Sequence, residues 1–167
     1  MPFQPAFPAV RSDSPAGSDD EVYRVFCVDD DPVAQRLAVQ ALARTGWVVE
    51  CACHGEEALA RFTSDPRGFD LLMTDHLMPH LDGLGLVKAL REHGFNGPVI
   101  VASGHLDAAV RRAYQALRVQ RLIAKPLGVA ALRAATDALL LRTAASRAPR
   151  LAPARAHRPQ LTQVMHR

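Results

Sequence analysis

The chain has 167 residues and a formal net charge of +3, a length that suits one domain with a real core plus tails and is short for two domains of ordinary size. The positive charge is local: residues 143–167 carry five arginines (Arg147, Arg150, Arg155, Arg158 and Arg167) and no acid, whereas residues 1–142 carry 15 basic and 17 acidic side chains. No apolar run approaches the ~18 residues of a membrane helix, and the opening MPFQPAFPAV places three prolines where a signal peptide needs an unbroken apolar stretch, so a soluble, cytoplasmic protein without a membrane role is expected.

Residues 1–21 are rich in Pro, Ala, Ser and Asp with no helix or strand period, and they read as a disordered leader. From 22 to 142 short apolar runs alternate with longer amphipathic stretches, the pattern of a parallel sheet with crossover helices. The first strand is expected over 24–28. A helix over 32–44 follows, with Asp31 as N-cap, Pro32 at the first helical position and Gly46 as its stop. Next come strand 48–53, helix 56–63, strand 71–74, helix 84–92, strand 98–102, helix 107–117 and strand 121–124. The last helix, 129–142, repeats Val129, Leu132, Ala135, Thr136 and Leu139 on one face to be buried. Residues 143–167 turn to Ala, Arg, Pro and His, with Pro149, Pro153 and Pro159 blocking a long helix, and read as a disordered basic tail. The expected architecture is (βα)5, with a five-stranded parallel sheet covered on both faces. Cys27, Cys51 and Cys53 lie in apolar, strand-like segments without paired metal-ligand spacing, and read as reduced packing residues.

In such a sheet the functional crevice lies beyond the carboxyl ends of the strands. Those positions are polar here: Asp29-Asp30-Asp31 after the first strand, Asp75 after the third, Ser103-Gly104 after the fourth and Lys125-Pro126 after the fifth. With strand order 2-1-3-4-5, the first and third strands are neighbours, and Asp29, Asp30 and Asp75 converge at the switch point. Three close carboxylates repel unless a cation sits among them. Mg²⁺ is a hard ion that binds through one or two carboxylates, waters and a phosphate, so the site is incomplete without a phosphoryl group. Ser103 can donate to such a group, Lys125 can neutralise it, and Gly104 leaves room beside them. Asp75 is then the natural nucleophile, forming an aspartyl phosphate.

The motifs VFCVDDDP, LLMTDHLMPHLDG, VIVASG and LIAKP, in this order, resemble those of the receiver domain of two-component response regulators, of the stand-alone, CheY-like kind. The resemblance covers about residues 23–142 and implies a flavodoxin-like doubly wound fold. It implies Asp75 as phosphoacceptor, Asp30 as a direct Mg²⁺ ligand, Asp29 as a partner acting through bound water, and the Leu77 backbone carbonyl as the third protein ligand. Ser103 becomes the switch hydroxyl and Lys125 the cation that reads the phosphoryl group, while Pro79 and Gly83 shape the loop after the third strand. The implied donor is a sensor histidine kinase or a histidine phosphotransfer protein. The implied output is a downstream protein or a homodimer held through the fourth helix, fifth strand and fifth helix, with a phosphate shuttle or sink as the alternative.

The chain has notable residues at four places in the family pattern. Leu122 stands three residues before Lys125, where the family often has a Tyr or Phe that swings inward. Leu77 and His105 occupy positions that in the family tune phosphate loss. The segment 117–119 lacks the glycine usual before the fifth strand. An enzyme rival also fits part of the pattern, because DDDPV matches the nucleophile motif of haloacid-dehalogenase-type phosphatases using Asp29. That class needs an acidic pair after its lysine, and Asp137 is the one acid beyond Lys125. The arginine tail has no aromatic residue for base stacking and no groove-reading motif, so no specific nucleic acid is expected. His76 and His80 are four apart, but Pro79 between them disfavours shared metal ligation from a helix.

Overall fold

The computed structural model describes residues 23–43 and 47–144. The leader at 1–21, the Gly46 helix stop and the tail from 145 onward lie outside the described residues. Ten elements alternate in chain order: β1 (Arg24–Val28), α1 (Pro32–Ala43), β2 (Val48–Ala52), α2 (Gly55–Ser64), β3 (Leu71–Asp75), α3 (Gly83–Glu92), β4 (Val99–Ser103), α4 (Ala108–Ala116), β5 (Arg121–Ala124) and α5 (Val129–Ala144). The five strands are parallel in the order β2-β1-β3-β4-β5, as expected from the doubly wound reading.

The strands alternate inward residues to two helical layers, because successive side chains leave a strand on opposite faces. Phe26, Val28, Leu72, Val99 and Val101 meet Ala58 and Phe62 of α2, Leu86, Val87 and Leu90 of α3, and Tyr114 of α4. On the other face Val25, Cys27, Leu71, Met73 and Ile100 meet Ala38, Ala41 and Leu42 of α1 and Leu132, Leu139 and Leu140 of α5. Each fully buried large apolar side chain contributes about 1.5–3 kcal/mol relative to exposure. The sheet is therefore held from both sides. Of the five α5 positions expected to be buried, Val129 is 36% exposed. It is the first residue of the helix, and burial begins one turn later at Leu132.

Caps fix where the helices begin, and so where the strand-end loops stop. Asp31 accepts from the Val33 N–H (2.8 Å) ahead of α1. Asp82 and Asp107 cap α3 and α4 by accepting from the Gly85 and Val110 N–H groups, so α4 starts one residue later than expected. The cap of α2 is His54, whose Nδ1 accepts from the Glu57 N–H at 3.3 Å, while the Glu57 carboxylate reaches back to the Cys53 N–H at 2.9 Å. At the opposite end of the sheet from the strand-end loops, the Arg91 guanidinium donates to the carbonyls of Phe95 (2.7 Å), Gly97 (2.9 Å), Leu117 (3.2 Å) and Arg118 (3.4 Å). It thereby ties the end of α3 to the end of α4. Arg118 has φ 55, the left-handed conformation that favours glycine, at the turn where the sequence lacks one. All three cysteines are free: Cys27 is buried, Cys51 half-buried and Cys53 exposed.

Candidate functional site

The strand register carries the strand-end residues to one level. Val28 pairs with Thr74, which sets Asp29 beside Asp75, the last residue of β3. Hydrogen bonding continues one step past the strands, from the Asp29 N–H to the Ala52 carbonyl (3.2 Å), from the His76 N–H to the Ala102 carbonyl (3.1 Å) and from the Lys125 N–H to the Ser103 carbonyl (2.9 Å). Buried Gln35 of α1 stitches the first loop down, donating from Nε2 to the Asp29 carbonyl at 2.6 Å and to that of Ala52 at 3.2 Å.

Three carboxylates gather there. Asp29, Asp30 and Asp75 each offer an oxygen, and these atoms lie within 4.8 Å of one another, with Asp29 and Asp75 buried and Asp30 exposed. Lys125 reaches in from the end of β5, its Nζ 2.9 Å from Asp29 Oδ2 and 3.3 Å from Asp75 Oδ1. The peptide bond between Lys125 and Pro126 is cis. The His76 N–H donates to Asp75 Oδ1 at 2.8 Å and the Asp31 N–H to Asp29 Oδ1 at 3.0 Å. Burial pushes the Asp29 carboxyl above the usual carboxylate range, against the pull of Lys125 and the Asp31 N–H, and with the neighbouring charge of Asp75 adding to the rise. For Lys125, burial works to lower the ammonium pKa, but the two aspartates outweigh it and the group ends above its ordinary value.

The donor set fits a divalent ion. Three carboxylates face a single ammonium, and only oxygen ligands are offered, the preference of a hard cation such as Mg²⁺. Among the described residues this is the one group of three such side chains able to hold a metal. Asp137, on which the phosphatase reading depends, is not among the clustered carboxylates, and Asp75, which that reading leaves idle, is.

The remaining expected residues have different surroundings. Ser103 is buried at the end of β4, but its hydroxyl is engaged within its own loop, donating to the His105 carbonyl at 2.7 Å and accepting from the His105 N–H at 3.1 Å. Gly104 is exposed, and a methyl group built on it would meet nothing within 4 Å. The Leu77 side chain is 63% exposed, whereas Met78 tucks into the core. Gly83 leaves no space for a side chain in this loop without a shift of the backbone: a Cβ there would lie 2.0 Å from the Asp75 carbonyl oxygen. Leu122 is half-buried against the α2–α3–α4 layer.

His76 and His80 do not converge. The His80 ring packs on His54 with centroids 5.6 Å apart, whereas His76 Nδ1 lies 2.9 Å from the Tyr114 hydroxyl. The partnership of His76 and Tyr114 is the feature the sequence reading missed. Tyr114 lies on the apolar face of α4 with Val110 and Leu117 and reads as core, and the one available signal was that a buried phenol needs a hydrogen-bonding partner.

With fold and site in place, the comparisons with known proteins agree. The response regulator receiver domain family matches residues 25–137, and the chain belongs to it. The response regulator MprA of Mycobacterium ulcerans is 34% identical over 120 residues, spanning 72% of this chain and 51% of that protein. The transcriptional regulatory protein TrcR of Mycobacterium tuberculosis is 39% identical over 83 residues, spanning 50% of this chain and 32% of that protein. The chain thus spans about half the length, or less, of these curated relatives. The chemotaxis protein CheY4 of Vibrio cholerae superposes with a TM-score of 0.66 at 25% identity, covering 71% of this chain and 98% of that one. The chain is a two-component receiver with the CheY-like, flavodoxin-type architecture, a signalling class rather than a conventional enzyme. No helix among the described residues is long and apolar enough to cross a membrane.

Proposed function

We propose that Asp75 accepts a phosphoryl group from the phosphohistidine of a sensor histidine kinase or a histidine phosphotransfer protein in the cytoplasm. The observation that carries this reading is the placement of Lys125 Nζ within 3.3 Å of Asp75 Oδ1 while Asp29 and Asp30 crowd the same carboxylate. In the transfer the donor's P–N bond breaks, a P–O bond to the Asp75 carboxylate forms, and the imidazole leaves. The Lys125 ammonium offsets charge on the phosphoryl oxygens, and the His76 N–H holds the carboxylate in orientation through Oδ1. Asp29, Asp30, Asp75 and the Leu77 carbonyl would hold Mg²⁺, which when bound supplies charge neutralisation for carboxylates and phosphoryl group alike. Gly104 leaves space for the incoming group. Ser103 answers it by exchanging its local bonds to His105 for one to a phosphoryl oxygen.

Output in this reading runs by protein contact, to a downstream target or a second copy, through the face of α4, β5 and α5. TrcR's standing as a transcriptional regulatory protein belongs to that longer protein. The expectation that this chain has no specific nucleic-acid partner gains nothing from it. The test is intact mass after exposure to a small acyl phosphate with and without Mg²⁺. The expected result is one added phosphoryl group that needs the metal and is absent in Asp75→Asn. Equal labelling of Asp75→Asn overturns the assignment, and a phosphate-dependent pull-down that yields neither partner nor dimer converts the output reading to a shuttle or sink.

A further inference from the structure

Tyr114 is 0% exposed and is among the largest fully buried side chains of the described residues. It sits in the last turns of α4, 38 residues from His76 in sequence, yet its hydroxyl lies 2.9 Å from His76 Nδ1, and the two rings meet edge to face with centroids 5.5 Å apart and planes at 75°. His76 is the residue at which the chain leaves β3. Its backbone N–H is shared between Asp75 Oδ1 at 2.8 Å and the Ala102 carbonyl at 3.1 Å. A short chain of contacts therefore runs from α4 through phenol and imidazole to the main chain of His76, and from there to the carboxylate. Gly83 makes the arrangement possible, since a side-chain atom there would come within 3.0 Å of the Tyr114 hydroxyl as well as striking the Asp75 carbonyl.

We infer that Tyr114 is a positioning residue that couples α4 to the phosphoacceptor, holding His76 by its ring so that the His76 N–H is aimed at Asp75, and passing changes at Asp75 back to α4. The physical basis is that a buried hydroxyl without its partner is costly, so phenol and imidazole move together or not at all. Adding a phosphoryl group alters the charge on the oxygens that the His76 N–H faces. Any shift of that N–H rotates the peptide and carries the ring, and the ring carries the hydroxyl of a side chain locked in the core. Leu122 packs against the same cluster as Tyr114 and offers no polar atom. Among these neighbours the phenol supplies the polar link.

This inference rests on Asp75 as phosphoacceptor, and its test separates the two ideas. Tyr114→Phe keeps the ring and removes only the hydroxyl. The full chain and this variant are compared for the rate of phosphoryl uptake from a small acyl phosphate at saturating Mg²⁺, for the rate of phosphoryl loss, and for amide exchange across α4 with and without beryllofluoride. The expected change in at least one rate is about two- to tenfold, the equivalent of one hydrogen bond, together with a weakened response of residues 108–116 to beryllofluoride. His76→Leu should reproduce the effect, His76→Asn should restore most of it by offering an acceptor near the Nδ1 position, and Tyr114→Phe combined with His76→Leu should add little to either alone. Wild-type rates and a wild-type α4 response in both Tyr114→Phe and His76→Leu overturn the inference. Should Tyr114→Phe fail to fold, the His76 pair decides alone. Failure of the wild-type chain to label at Asp75 is a separate outcome, which removes the phosphoacceptor reading and the coupling with it.

Discussion

Position 83 shows how much of the site rests on a missing side chain. The chain passes so close to the end of β3 that a methyl group at 83 would sit 2.0 Å from the Asp75 carbonyl oxygen. That obstacle is backbone, which yields less readily than the end of a flexible side chain. Gly83→Ala should therefore lower stability by ~1–3 kcal/mol or more, read as a reduced urea midpoint, and it should slow phosphoryl uptake by displacing Asp75. An unchanged midpoint would mean that the loop has slack its packing does not reveal. At this scale the sequence was legible in part. Asp29, Asp75 and Lys125 could be placed because an ionisable residue directly after an apolar strand has one plausible location. The present partners of the Ser103 hydroxyl could not be read, since they depend on how the loop at 103–105 folds back on itself. The bond between His76 and Tyr114 was hidden because it joins distant segments through packing alone.

At the level of elements, every strand and helix foreseen from periodicity is present, with ends that coincide with the expectation or differ from it by at most two residues. At α4 the displacement of the start traces to a cap. Asp107 was assigned to α4, but its extended backbone and its acceptance of the Val110 N–H make it the residue before the helix. The cap of α2 was not foreseeable from residue type, because histidine is not a usual N-cap and serves here through its ring nitrogen. A prediction follows for α4. The Val110 N–H holds the Asp107 carboxyl below its ordinary range, so the cap is complete above the unfolded carboxylate pKa and is lost as pH falls through the lowered folded value. Asp107→Ala should speed amide exchange in the first turn of α4 at neutral pH. Asp107→Asn should preserve protection and abolish its loss on acidification. Equal exchange in all three chains would show that the first turn is held by packing instead.

For the molecule as a whole, the two apolar layers share one sheet, and neither can be removed without exposing the other's strands. Leu132 of α5 is fully buried in the α1–α5 layer, far in sequence from the acidic residues. Leu132→Ala should cost about 2–5 kcal/mol in a single cooperative urea transition that lowers far-ultraviolet circular dichroism and tryptophan fluorescence together. Non-coincident transitions would show that the layers unfold independently. The doubly wound order was readable because five short apolar runs alternating with helices admit few right-handed parallel arrangements. The basic tail has a composition that can be described and no packing pattern from which a position could be derived.

Arg91 adds a kinematic consequence. Its fork of donors grips carbonyls at 95, 97, 117 and 118, fastening the C-terminal end of α4 to the end of α3. A helix fastened at one end moves like a door on its jamb. For a displacement of α4 this fastening predicts the least travel at Leu117 and the most around Asp107, next to the loop that carries Ser103 and His105.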